Sequence, residues 1–286
     1  MVAGCDQCSP RSIAAATLNR REAYEARQKK RALIIATIST LLVVAIIVIF
    51  VPMAPGWEQV KKSFFSGDIF VKSFPKMAKA FLLNIAIFAW SAPLVAIVGL
   101  LIALARSVRS PALFPLRIFG AAYVDIFRGL PVVLVIYLIG FGIPGLGLPR
   151  PYNSPYIWGT VALVLTYSAY VAEILRSGIE SVHASQRAAG LSLGMSERSV
   201  MRDIILPQAI RRVVPANMNM LIAMQKDVAL LSFIGPVEIL RQAGIFKSLF
   251  ANFTPYVVAA AIFLVVTIPA TRYADYLMNR QRDARS

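Results

Sequence analysis

Residues 33–51 contain no charged side chain, and this stretch rules out an ordinary soluble fold for the segment. An isolated helix needs about 20 residues to cross a hydrocarbon core of roughly 30 Å, a length the run reaches with Ala32 and Pro52. Five further apolar stretches follow, at 81–105, 118–143, 157–175, about 213–234, and 256–268 with its flanks. The composition agrees, with 58% hydrophobic and only 15% charged residues. The predicted class is therefore all-α, a polytopic membrane helix bundle with six transmembrane helices. Three stretches are not purely apolar. The third carries Asp125 and Arg128 near its start, the fourth Glu173 near its end, and the fifth Lys226 and Asp227 well inside, so these spans border something polar.

A net charge of +16 would suit a nucleic-acid binder, but its distribution argues against one. Lys and Arg number seven before the first span, three from Arg106 to Arg117, six from Arg176 to Arg212 and four from Arg272 onward. If the spans alternate, all four groups fall on one side, which predicts a multi-pass cell-membrane protein with both termini cytoplasmic and no nucleic-acid partner. Lys61, Lys62, Lys72, Lys76 and Lys79 oppose this pattern. Their segment reads as an outer amphipathic stretch turning Phe64, Phe65, Ile69 and Phe70 toward lipid headgroups. The expected organisation is a basic tail (1–32), an anchor (33–53), an outer connecting segment (54–79), a transmembrane domain (80–278) with a cytoplasmic loop at 177–207, and a second tail (279–286). The first span is too long, and its leader too extended, for a cleaved signal peptide. Cys5 and Cys8 form a lone Cys-x-x-Cys in a polar, disordered tail and read as reduced thiols rather than a metal site.

Two patterns suggest catalysis and do not support it. Gly140, Gly142 and Gly145 spell Gly-x-Gly-x-x-Gly, but they close an apolar helix and enclose Pro144, whereas a dinucleotide fingerprint follows a strand and opens a helix. No phosphate loop occurs, so energy for any pumping must come from elsewhere. The one histidine, His183, has no Cys, Asp or Glu at metal-binding spacing. No catalytic or metal-binding residue is assigned, and the chain reads as a transport subunit rather than an enzyme.

The loop at 177–207 is too long for a simple connection and too regular for a disordered one. Ser185 is expected to cap a first helix over 186–193, ended by Gly194 in the left-handed conformation. Ser196 is expected to cap a second, with Val200, Met201, Ile204 and Ile205 on one face, Arg198 and Arg202 on another, and Pro207 at its boundary. Ala188, Ala189 and Gly190 are small enough to admit another protein close to the first helix. The residues alone leave two readings open, a surface-lying amphipathic hairpin or a hairpin docked in a partner's groove.

The segment resembles the signature of binding-protein-dependent ABC importer permeases, Glu-Ala-Ala-x3-Gly-x9-Ile-x-Leu-Pro. Ala188, Ala189 and Gly190 fill its first places, followed at the required spacing by Gly194, Ile204, Leu206 and Pro207. Other blocks are similar to the polar amino acid branch: Asn84; Phe127-Arg128-Gly129 with Pro131; Ala172-Glu173-Ile174 with Arg176 and Gly178; Leu206-Pro207-Gln208-Ala209 with Arg211; Lys226-Asp227 with Leu230; then Gly235 and Glu238. This chain departs from the signature in carrying Ala188 at the Glu position and His183 where Pro often stands.

The resemblance implies a five-helix importer core after the N-terminal anchor, with the 177–207 loop, including Ser185 and Gln186, as the element that couples to the ATPase. It implies two ATP-binding subunits that bind ATP and Mg in place of this chain, which has no cofactor of its own. An extracytoplasmic amino-acid-binding protein, a second permease copy or paralogue, and membrane lipid complete the expected partners. Asp125 with Arg128, and Glu173 with Arg176, are spaced to meet on one helical face. Lys226 and Asp227 point apart and, in a helix starting near Pro215, fall near mid-bilayer. With Glu173 and Arg128 they are candidates for the substrate path, although charges held by neighbouring spans would explain them as well. The alternative function is secondary transport driven by an ion gradient.

Overall fold

The computed structural model describes the backbone of residues 10–107 and 111–283, and every regular element among them is helical. Helices satisfy their own backbone groups, which lipid requires. Cys5 and Cys8 lie outside the described residues.

The chain divides into two compact units, 1–62 and 63–286. The first holds α1 (Pro10–Phe50) and the start of α2 (Trp57–Phe64). Residues 27–50 are apolar and long enough to cross a membrane, and Leu33, Ile46 and Phe50 are all exposed. Helix α1 already begins at Pro10, so the part of the tail expected to be disordered is helical from there. Ala, Leu, Glu, Lys and Arg abound in it, and such residues extend a helix once the span has nucleated it.

The second unit contains α3 (Gly67–Ser107), α4 (Phe114–Gly129), α5 (Val132–Gly142), α6 (Pro155–Glu180), α7 (Ala184–Ser192), α8 (Glu197–Ser199), α9 (Leu206–Asp227), α10 (Ile239–Phe250) and α11 (Thr254–Asp283). Helix α6 forms its centre. Leu163, Tyr167 and Val171 of α6 are buried with Val95 of α3, Val135 and Ile136 of α5, and Met224 of α9. Small residues permit this closeness, as in other membrane bundles. A Cβ on Gly178 would lie 2.1 Å from Val213 Cγ1, and one on Gly99 2.7 Å from Val171 Cγ1.

Among the described residues four helical segments could cross a membrane, and two bent helix pairs raise the number to six if each pair is one span. The expected third span is not straight. Its two halves, α4 and α5, meet at 106°. Pro131 lacks an N–H and pushes Leu130 to extended geometry (φ −99°, ψ 139°), so the helix cannot continue. The expected fifth span starts earlier than Pro215, which lies inside α9. It then tightens to a 3-10 helix over Val228–Ile234 and bends by 51° before α10. Gly235, at φ +123°, makes this turn possible.

The outer connecting segment is also not a separate element. Helix α3 runs unbroken from Gly67, and Met77 is buried with Phe81, Ile239 and Val258. Phe64 stacks on Phe253 with ring centroids 4.9 Å apart, and Phe70 packs on the Met77 cluster, so these two aromatics cover protein rather than headgroups.

Candidate functional site

Helices α6 and α9 are joined by a hairpin that is held at both ends. Its cap is not Ser185. The imidazole of His183 takes that place, Nδ1 accepting from the Ser185 N–H at 3.2 Å, so α7 begins at Ala184 and ends at Ser192. Gly194 adopts φ +79°, and the Met195 N–H closes the turn on the Gly190 carbonyl at 3.2 Å. Ser196 does cap the second helix, its Oγ accepting from the Ser199 N–H at 3.1 Å. Pro207 marks no end. A π-helical turn, Val200–Ile205, leads straight into α9, where Pro207 occupies the first turn and its missing N–H is not needed.

Gly190 faces inward. A Cβ there would lie 2.8 Å from Val200 Cγ2 and 2.9 Å from Ile204 Cδ1, so the glycine admits the chain's own second helix rather than another protein. The outer surface is formed by Ser185, Gln186, Ala188 and Ala189, all exposed. Leu193, 82% exposed at the tip, is an apolar side chain that the motif spacing passes over. Arg187 pairs with Glu197 across the hairpin, Arg212 donates to the Ser181 carbonyl, and Val182, Val200, Ile205 and Ala209 form a small core at its base. The base of the hairpin is therefore fastened to α6 and α9.

Within the bundle, Glu173 collects three arginines from three helices. Arg106 of α3 donates to Oε2 at 2.6 Å, Arg176 of α6 binds Oε1 at 2.5 Å, and Arg128 of α4 stands 3.7 Å from Oε2. The expected Glu173 and Arg176 pair exists. The expected Asp125 and Arg128 pair does not: Asp125 is exposed with no ion pair among the described residues, while Arg128 turns to Glu173 and lies 5.8 Å from the Tyr170 ring centre. Arg106 was not a candidate because its partner is 67 positions away.

Lys226 and Asp227 end α9 and point apart. Asp227 Oδ2 accepts from the Tyr167 hydroxyl at 2.7 Å, and Tyr167 stands near the midpoint of α6, which places both charges level with the middle of that span. Lys226 is exposed and makes no ion pair among the described residues. A second buried network ties α3 to α10. Asn84 Nδ2 donates to Glu238 Oε2 at 3.0 Å, the Ile239 N–H donates to Asn84 Oδ1 at 3.1 Å, and the Glu238 carboxylate caps α10 by accepting from the Leu240 and Arg241 N–H groups. Replacing Glu238 with alanine orphans those donors and Asn84. Burying a carboxyl is itself costly, so the expected net loss is about 2 kcal/mol, read as a lower melting temperature of the detergent-extracted chain.

Residues 63–283 match the family described as the binding-protein-dependent transport system inner membrane component. The chain belongs to this family. It is an ABC importer permease, a multi-pass membrane transport subunit, and family membership implies partners that bind ATP and partners that bind the transported solute. The permease is 35% identical over 167 residues to a probable glutamine ABC transporter permease of Bacillus subtilis, covering 58% of this chain and 76% of that protein. It is 32% identical over 179 residues to the arginine transport system permease of the same organism, covering 62% and 80%. Among solved structures, a chain of an amino acid ABC transporter with histidines shares 33% identity at a TM-score of 0.68, over 73% of this permease and 96% of that chain. An inward-facing methionine ABC transporter, 16% identical at a TM-score of 0.58 over 72% and 95% of the two chains, shares the fold.

Proposed function

We propose that this permease carries a polar amino acid across the cell membrane, driven by ATP that two separate subunits bind with Mg and hydrolyse. The observation that carries the reading is the hairpin: its apolar side is buried against the permease, its small and apolar outer residues Ala188, Ala189 and Leu193 are free, and its base is fastened to two spans. That is the form of a lever docked into a partner. Ser185, Gln186, Ala188, Ala189 and Leu193 make the contact, while Gly190, Gly194, Ile204, Leu206 and Pro207 hold the hairpin's shape. In this reading the hairpin and both termini are cytoplasmic, an extracytoplasmic binding protein delivers the amino acid, and a second permease copy or paralogue completes the pathway. The relatives named for glutamine and arginine and the solved amino acid transporter support the substrate class.

The path runs past Lys226 and Asp227. A charge left unpaired within its own chain at this depth is costly unless a hydrated path or a ligand meets it, and the ammonium of Lys226 suits an α-carboxylate. Arg128 and Glu173 belong to the clamp that closes the hairpin end of the path.

The test is uptake by vesicles holding the permease with its partners. Uptake is expected to require hydrolysable ATP and to survive collapse of proton and sodium gradients. Lys226→Gln is expected to raise the KM for uptake about fivefold, the loss of about 1 kcal/mol from a partly hydrated charge contact, with basal ATP hydrolysis retained. Concentrative uptake by this chain alone, stopped by removing an ion gradient, would overturn the proposal in favour of secondary transport.

A further inference from the structure

We propose that the cavity at the hairpin end of the bundle binds the phosphate of an anionic phospholipid. The cavity, of about 410 Å³, lies where the end of α3, the start of α4 and the end of α6 meet the hairpin, and Arg106, Arg117, Arg176, Arg187 and His183 line it together with Glu180. Its size is in the range of small-ligand sites.

Charge accounting identifies the group left for a ligand. Glu173 engages Arg106 and Arg176, Glu180 engages Arg176 again, and Glu197 engages Arg187. Arg117 has no carboxylate among the described residues. Its guanidinium lies 5.1 Å from the ring centre of Phe114 one turn earlier, which orders the side chain without neutralising it. The lining arginines Arg106, Arg117, Arg176 and Arg187 thus face three glutamates, Glu173, Glu180 and Glu197, an excess of positive charge beside a half-open space. Guanidinium groups bind phosphate oxygens bidentately, and the excess favours a phosphate-bearing anion.

The neighbouring surface indicates where that phosphate comes from. Leu113, Phe114, Leu116 and Phe119 are exposed on and just before α4, Phe119 at 69%. A free phosphate gains nothing from such a surface. A lipid places its headgroup among the arginines and its acyl chains along α4, and basic pockets at span ends suit anionic headgroups. The same contact ties the lipid to the hairpin through Arg187, so occupancy bears on how firmly the lever is seated.

The full chain, extracted in mild detergent with whatever subunits accompany it, is incubated with phosphatidylglycerol or phosphatidylcholine and its retained lipid counted by native mass spectrometry. Phosphatidylglycerol is expected to be retained over phosphatidylcholine, and Arg117→Gln to lower that retention at least fivefold. Arg117→Lys should keep part of it, and Arg150→Gln, in the loop before α6, all of it. Equal retention by Arg117→Gln and the unaltered chain, no preference between the two lipids, or displacement of the lipid by millimolar inorganic phosphate would each overturn the assignment, the last pointing to a free-phosphate site. Retention is independent of transport, so this result stands or falls separately from the proposed importer activity.

Discussion

Leucine in place of Gly190 is expected to reduce uptake about thirtyfold while leaving the permease inserted in the membrane. The Cβ alone would meet Val200 and Ile204 at 2.8 and 2.9 Å, and the three further carbons of leucine have no space between the two helices of the hairpin. Overpacking of this kind costs typically 1–3 kcal/mol, and relief comes most readily by swinging α8 and the π-turn away from α7. That movement breaks the Arg187 to Glu197 pair and tilts the exposed surface of Ala188, Ala189 and Leu193, so a partner finds no fitting face. The spans themselves are untouched. Gly190→Ala separates packing from mere substitution: the Ile204 methyl can rotate aside, leaving a small adjustment at Val200, and most activity should remain. Uptake and substrate-stimulated ATP hydrolysis should fall together in Gly190→Leu, with protease sensitivity rising at residues 184–205. A well-expressed Gly190→Leu chain with normal stimulation would separate the hairpin from energy coupling.

The spans were legible because hydropathy is additive along a sequence, and the run at 33–51 needs no partner to be recognised. The hairpin was legible for a related reason, since Gly194 and Ser196 act on neighbours within a few residues. Helix breaks were harder. Gly129 and Pro131 mark the bend between α4 and α5, but an apolar run on both sides reads as one span whatever its angle. Cap identity also escaped: Ser185 is the stronger N-cap by propensity, yet the imidazole of His183 two residues earlier reaches the Ser185 N–H and starts the helix sooner. Least legible were contacts between distant positions. Asn84 and Glu238 lie 154 residues apart, Tyr167 and Asp227 lie 60 apart, and nothing local to either member indicates the other. The motif blocks brought Asn84, Glu173, Asp227 and Glu238 to notice without their partners, because a block records which residue is present and not what it touches.

Removing the carboxylate of Glu173 is expected to have the largest effect on stability. Arg106 and Glu173 are mostly buried, with side chains 14% and 19% exposed, and Arg176 and Arg128 are partly covered at 34% and 41%. In Glu173→Ala, Arg176 keeps Glu180, but Arg106 loses its only ion-pair partner among the described residues, as does Arg128. Three guanidinium groups then crowd one site with little intervening solvent. Breaking a buried pair costs about 3–5 kcal/mol, and the partial exposure of two of the arginines brings the expectation to about 3 kcal/mol. The loss should appear as a lower melting temperature in detergent and as reduced levels in the membrane, since a helix junction that fails to close is open to proteolysis. Glu173→Gln preserves shape and one acceptor and should fall between. A double change, Glu173→Gln with Arg106→Gln, should recover part of the loss by removing the most deeply buried unpaired charge, and the size of that recovery measures the coupling between α3 and α6. If Glu173→Ala melts at the same temperature as the unaltered chain, the arginines find solvent or other acceptors, and the three helices are held by apolar packing alone. If it melts lower but still transports at the remaining level per molecule, the carboxylate fastens the bundle without taking part in movement of the substrate.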